Sequence, residues 1–196
     1  MKNLLFTALS AILIILPNAA SAKIETYSFD QAHTQILFFV SHLGFAMSQG
    51  EFHQVDGHFK IDRHNLQNSS IDVKIKTDSI DMDDEKWDAH MKNADFFDVE
   101  NHPNMTFKST NIELTGDNTA NVTGDLTILE TTKLVTLTVT HNKTGKHPFS
   151  GKDSIGFSAT GNIKRSDFGM NYGLPNVGDD VELRLEIEAF QQNENK

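Results

Sequence analysis

The 196-residue chain carries a formal net charge of −10, is 22% charged and contains no cysteine. So acidic a chain repels nucleic acid and anionic membrane surfaces. Without cysteine it has neither disulfides nor a lipidated N-terminal cysteine, so its stability must come from packing.

The first elements in chain order read as an address. Lys2 precedes an apolar run from Leu4 to Leu16, and Ala20-Ser21-Ala22 has the small-x-small pattern of a cleavage site. The run is shorter than the roughly 20 residues that span a bilayer as a helix, and no later segment is apolar enough to do so. The spacing therefore predicts a secretory leader over 1–22, a single soluble domain over 23–196, no integral membrane span and an exported location. Loss of Lys2 makes the mature domain one unit more negative.

Next comes Asp30, His33, Ile36, Phe38, Val40, His42 and Gly44, in which apolar residues recur at every second position and an imidazole closes the run. Period two places these side chains on one face of a strand. Similar runs follow at Val55–Ile61, Ile71–Ile75, Met105–Leu114, Val122–Ile128, Val135–Val139, Ile155–Ile163 and Val181–Ile187. Apolar-in, polar-out alternation is the pattern of antiparallel strands with one wet face. About eight such strands are near the number that closes a barrel, an open two-sheet sandwich being the other arrangement the pattern allows. Short turns at Thr115–Asn118 and Leu129–Thr132 fit a hairpin meander. Asp83 and Asp84 followed by Trp87 and Met91 predict one helix ending near Asn93, and a second short helix or turn is expected over Ser166–Tyr172. The fold class is all-β.

Four blocks carry a family resemblance. They are D-x-x-H-x-x-I-x-F-x-V-x-H-x-G from Asp30; His90 to Asp98 with His102 to Ser109; Val122 to Ile128; and Arg165 to Met170 with Val177 to Val181 close behind. In this order, over nearly all of Ile24 to Ala189, the chain resembles the YceI-like family of periplasmic lipid- and polyisoprenoid-binding proteins. It departs from the family pattern at Trp87, where an arginine is common, at His102 in place of a tyrosine, and at Glu130 in place of a glycine. The resemblance implies a lipocalin-like antiparallel barrel with an internal apolar tunnel, short helices near the ligand mouth, and a periplasmic location. It also implies a long isoprenoid or other lipid as ligand, and, together with base rates, a homodimer.

On this basis the candidate ligand wall is Ile36, Phe38, Val40, Phe59, Phe107, Phe157, Phe168 and Met170. His42 is the first candidate for a polar group near the head group, with His33 and His90 as further candidates. Each apolar residue could instead be ordinary barrel filling. Arg165 and Asp167 are expected to form a structural turn and ion pair. His53, His58 and His64 lack the spacing of a designed metal site, so no metal or other cofactor is expected. No nucleophile elbow, phosphate loop or dinucleotide fingerprint is present. The expected function is therefore non-enzymatic binding, transport or sequestration of a long apolar lipid. Two alternatives stand beside it: a solidly packed stress-related barrel without ligand, and a lipid- or quinone-modifying enzyme using His42 with a nearby acid.

Overall fold

Along one strand Val135 and Leu137 are buried while Thr136 and Thr138, which alternate with them, face outward. Thr136 Oγ1 meets Thr123 Oγ1 on the neighbouring strand at 2.9 Å, and Thr132 meets Thr127 at 2.8 Å. The outer wall is thus tied by cross-strand hydroxyl pairs, and the inner wall is apolar. The same division runs round the whole molecule.

The computed structural model describes residues 24–192; the predicted leader lies outside them. The elements are β1 (Ile24–Phe29), β2 (Gln35–His42), β3 (Ala46–Phe52), β4 (Val55–Asp62), β5 (Ser70–Lys76), β6 (Ile80–Asp81), α1 (Glu85–Lys92), β7 (Asn104–Leu114), β8 (Thr119–Ile128), β9 (Thr131–Lys146), β10 (Asp153–Lys164) and β11 (Val177–Gln191). All pairings between strands are antiparallel. Eight of the strands, in the order β1-β4-β5-β7-β8-β9-β10-β11, form a ring that closes where β11 meets β1 at Ala189 and Phe29. The predicted barrel is therefore present, and it is closed rather than an open sandwich.

Its strands are not quite the eight counted from the sequence. β2 is not a member of the ring: it pairs with the upper part of β11, Leu183 opposite Phe38 and Val181 opposite Val40. β3 pairs with β2, and the two-residue β6 with β3. β1 takes the place in the ring that period-two reading had given to β2. β3 escapes the reading because its inward positions are Ala46, Ser48, Gly50 and Phe52, the first three too small or polar for an apolar alternation to show.

The β2–β3 hairpin turns at Leu43 and Gly44, with φ of 56° and 73°. Positive φ at both central residues matches the twist of the flanking strands. α1 is capped by the Asp84 carboxylate, which accepts hydrogen bonds from the amides of Lys86 (3.0 Å) and Trp87 (3.1 Å). It is the one α-helix among the described residues. A 3₁₀ turn over Arg165–Phe168 occupies the start of the second predicted helical stretch.

The interior has two apolar clusters. The larger includes Phe38, Phe52, Phe97, Phe107 and Met170. The smaller, built on Tyr27, Phe59, Ile61, Ile155 and Ala189, lies toward the other end of the barrel. Inward glycines make room for the rings of the larger cluster: a Cβ on Gly124 would lie 2.5 Å from Phe107 Cζ, and one on Gly50 would lie 2.4 Å from Phe38 Cζ.

Candidate functional site

The barrel is hollow. A cavity of about 620 Å³ runs through it, walled by the inward residues of the ring strands and of β2 and β3. Its volume falls in the range of roughly 300–1,000 Å³ typical of small-molecule sites. The middle of the wall is hydrocarbon and phenyl: Phe38, Phe52, Phe107, Leu126, Val135 and Leu137 are each less than a tenth exposed.

The two ends differ. At the upper end β2 delivers His42, and α1 delivers Trp87 and His90 across the opening. The His42 and Trp87 rings lie 5.7 Å apart. The His90 ring stands edge-on to Phe96 and Tyr172, each at 5.0 Å, and its Nε2 contacts Asp95 Oδ2 at 3.1 Å. The His42 imidazole has no hydrogen-bond partner among the described residues, so its polar atoms remain available.

Arg165 also reaches the wall at this end, with 4% of its surface exposed. Its guanidinium donates to three backbone carbonyls, those of Gly178 (2.7 Å), Met170 (2.9 Å) and Val177 (2.9 Å). Burial pushes its pKa down from the usual arginine value, against the pull of the Asp179 carboxylate. This differs from the expected ion pair with Asp167. Arg165 is spent on carbonyls, and it is Asp179 that binds the turn, through the amide and hydroxyl of Ser166 at 2.9 Å each.

At the lower end Arg63, Ser69, Ser70, Asn118, Thr119 and His141 join the wall. Arg63 is already engaged: its Nε donates to Glu25 at 2.7 Å and its Nη2 to the Tyr27 hydroxyl at 3.0 Å.

Of the sequence-nominated residues, Ile36, Phe38, Val40, His42, Phe59, Phe107, Phe157, Met170 and His90 all line the cavity. Two nominations do not. Phe168 is 2% exposed but outside the cavity wall, packed into the core from the turn that follows β10. His33 lies on the surface, where its Nδ1 meets Asp30 Oδ2 at 2.8 Å. The β1–β2 turn carries it out of the strand alternation that begins two residues later. That bond and the Asp30 charge hold the His33 pKa above the ordinary histidine value. Asp30 is held below the ordinary carboxylate value: burial opposes this, and the His33 and Ala32 hydrogen bonds outweigh it. With Glu188 these two place donor atoms within 4.8 Å of one another. Among the described residues this is the grouping able to meet a cation, and it is exposed and outside the cavity.

Sequence reasoning did not nominate Phe52, Phe96, Phe97 or Tyr172. Phe96 and Phe97 stood in a noted motif, but they follow a helix rather than alternating in a strand, so periodicity gave no sign of which way they face.

The comparisons agree with this architecture. The YceI-like domain profile matches residues 27–189. A UPF0312 protein of Ectopseudomonas mendocina is 36% identical over 173 residues, covering 87% of this chain and 90% of that protein. The crystal structure of BcnA from Burkholderia cenocepacia superposes with a TM-score of 0.74 at 26% identity, over 82% of this chain and 98% of BcnA. A domain from Saccharophagus degradans described as polyisoprenoid-binding superposes with a TM-score of 0.65 over 85% of this chain and 98% of its own. At 13% identity that last likeness is one of fold.

Proposed function

The chain belongs to the YceI-like domain family, and from that premise we propose that it binds one long apolar lipid inside the barrel and carries or sequesters it in the periplasm. The ligand class is a polyisoprenoid, an isoprenoid quinone or a fatty-acid derivative. The observation that carries the reading is the cavity of about 620 Å³ with an almost wholly apolar wall. Left unfilled, such a hollow leaves the apolar side chains around it without the contacts that a packed core would give them. A solidly packed barrel would have no such hollow. A lipid chain supplies what the wall lacks, since each methylene it buries contributes about 0.8 kcal/mol.

The reading is of a carrier rather than an enzyme. The enzyme alternative needs an acid beside His42, and the ring that lies tilted against that imidazole, 5.7 Å away, is Trp87. His42 instead suits a hydrogen bond to a head group held at the upper mouth.

Native mass spectrometry of protein purified from a periplasm, followed by denaturation and identification of what is released, tests the proposal. A stoichiometric long-chain lipid is expected. A clean apo mass that persists after incubation with prenyl and acyl lipids would overturn it. His42→Ala is expected to weaken binding of hydroxyl- or carbonyl-headed prenyl lipids about tenfold, the loss of one well-made hydrogen bond, and to leave binding of the matching hydrocarbon within twofold. Equal losses for both would remove His42 from that role.

A further inference from the structure

The upper mouth is ringed by solvent-exposed apolar side chains, of which Trp87 and Tyr172 also border the cavity. Leu43, Phe45 and Met47 on the β2–β3 hairpin are 50%, 90% and 49% exposed, and Trp87 and Tyr172 are 44% and 49% exposed. The loops that bear them are joined, the Leu43 amide donating to the Asn176 carbonyl at 2.9 Å. Neither loop carries an ionic side chain: there is no Asp, Glu, Lys or Arg from 31 to 50 or from 168 to 178. In a chain that is 22% charged, these two loops are uncharged, and the ionic groups of the rim are confined to α1 and its cap, where Asp83, Asp84, Glu85, Lys86 and Asp88 surround Trp87. Leu43 adds a second observation. It holds φ 56°, a conformation that disfavours residues with a Cβ by about 1–2 kcal/mol, and yet shows half of its side chain to solvent.

We infer that this rim is a docking surface for a lipid bilayer, inserting the Phe45 hairpin and the Trp87 and Tyr172 rings into the interface so that the cavity opens directly onto the membrane. The inference rests on the carrier reading above and says where the cargo is exchanged. Charge favours this occupant over others. The hairpin and the 168–178 loop, without ionic side chains, suit the region beneath the head groups, and the charges of α1 suit the head-group level. Tryptophan and tyrosine are the side chains suited to the boundary between them. The rim is continuous with the cavity through the His42–Trp87 and His90–Tyr172 contacts, so a lipid chain could leave the bilayer without crossing water. A second copy of the chain fits less well. A stable protein interface takes roughly 20–30 residues a side, more than this rim offers, and face-to-face pairing would set the exposed Asp83, Asp84 and Glu85 of two acidic molecules against each other. The same three acids predict preference for zwitterionic over anionic membranes.

The other end provides a control. Phe149 is 95% exposed, but it sits on the β9–β10 hairpin between Lys146 and Lys152, at the opposite end of the barrel from His42. Trp87 is the chain's one tryptophan, so its emission reports on the rim.

The test is flotation of the full protein with phosphatidylcholine vesicles, alongside quenching of Trp87 by brominated phosphatidylcholine. Wild type is expected to float and to be quenched. Phe45→Ser should reduce partitioning about tenfold, the effect of withdrawing one buried phenyl, and Phe149→Ser should leave it within twofold. Adding phosphatidylserine should weaken binding. Each variant is also offered polyprenol in detergent micelles, with capture read by native mass spectrometry. Retained capture with lost flotation in Phe45→Ser supports docking, whereas flotation without any capture supports docking while defeating the carrier reading. The inference is overturned if wild type fails to float, if Phe149→Ser and Phe45→Ser lose equally, or if the protein alone forms a dimer that Phe45→Ser dissolves.

Discussion

Single residues at the upper end divide between those that hold the site together and those that face the cavity. Arg165 belongs to the first group. Its three carbonyl partners lie in the segment between the turn after β10 and the start of β11, so the guanidinium binds that loop to the barrel from inside. Arg165→Met keeps the volume and removes the donors, leaving up to three carbonyls unsatisfied. Chemical denaturation should register a loss of about 3 kcal/mol, the scale of orphaned buried polar groups, and the cavity mouth should lose definition with it. His33 and Asp30 work far from the cavity, and their effect depends on pH in a definite sense. His33 is raised above its ordinary 6.5 on folding, so its contribution is full below that value and fades as pH climbs through the raised folded value. Asp30 is lowered from 3.8, so its contribution is present above that value and fades as pH falls through the depressed one. The pair therefore stabilises the fold most between about pH 4 and 6.5. In Asp30→Asn, NMR titration should find the His33 pKa returned toward 6.5, and the pH dependence of stability on the neutral side should flatten.

Among the elements, the shape of the hollow is set by where the strands carry side chains too small to see in a pattern search. β8 presents Gly124 beneath the Phe107 ring of β7, and β3 presents Gly50 beneath the Phe38 ring of β2. Each glycine lets a phenyl lie flat against the wall and leaves the axis open. Gly124→Ala would put a methyl 2.5 Å from Phe107 Cζ and 2.6 Å from the Lys108 carbonyl oxygen, so the ring must swing inward or the strands must part. A destabilisation of about 2 kcal/mol is expected, read from the urea midpoint, together with weaker capture of the bulkiest lipids. α1 does a different task. Short and capped by Asp84, it holds Trp87 and His90 over the opening.

For the molecule as a whole, a closed ring abolishes exposed sheet edges among its eight members, while β2, β3 and β6 extend one side of the wall and carry the rim. If the barrel carries a lipid as proposed, it should draw part of its stability from that cargo. A lipid present at 100 times its dissociation constant adds about 2.7 kcal/mol. For a domain of this size that is a rise in Tm of about 5–10 °C at 2–4 °C per kcal/mol. Thermal scans of delipidated protein with and without polyprenol should show this rise, and no change would mean the barrel is stable without any lipid guest.

The sequence alone was enough for the all-β class, for most of the strands and for the helix at Trp87, because period two and period 3.6 are local properties of the chain. It was also enough to mark which side chains face inward: Ile36, Phe38, Val40, His42, Phe59, Phe107 and Phe157 could be read from alternation and do line the cavity. What it could not supply is what depends on which strands meet. That β1 rather than β2 closes the ring, that Phe96, Phe97 and Tyr172 join His90 at the mouth, and that Arg165 spends its donors on carbonyls all follow from contacts between segments distant in sequence. His33 and Phe168 were misplaced for the same reason, since turns and 3₁₀ segments have no period from which to read direction. Above all, inward-facing residues fill a barrel or line a tunnel according to ring size and the placement of Gly50 and Gly124 against their neighbours. Hollowness is a property of the closed assembly of strands, and only the tertiary structure could decide it.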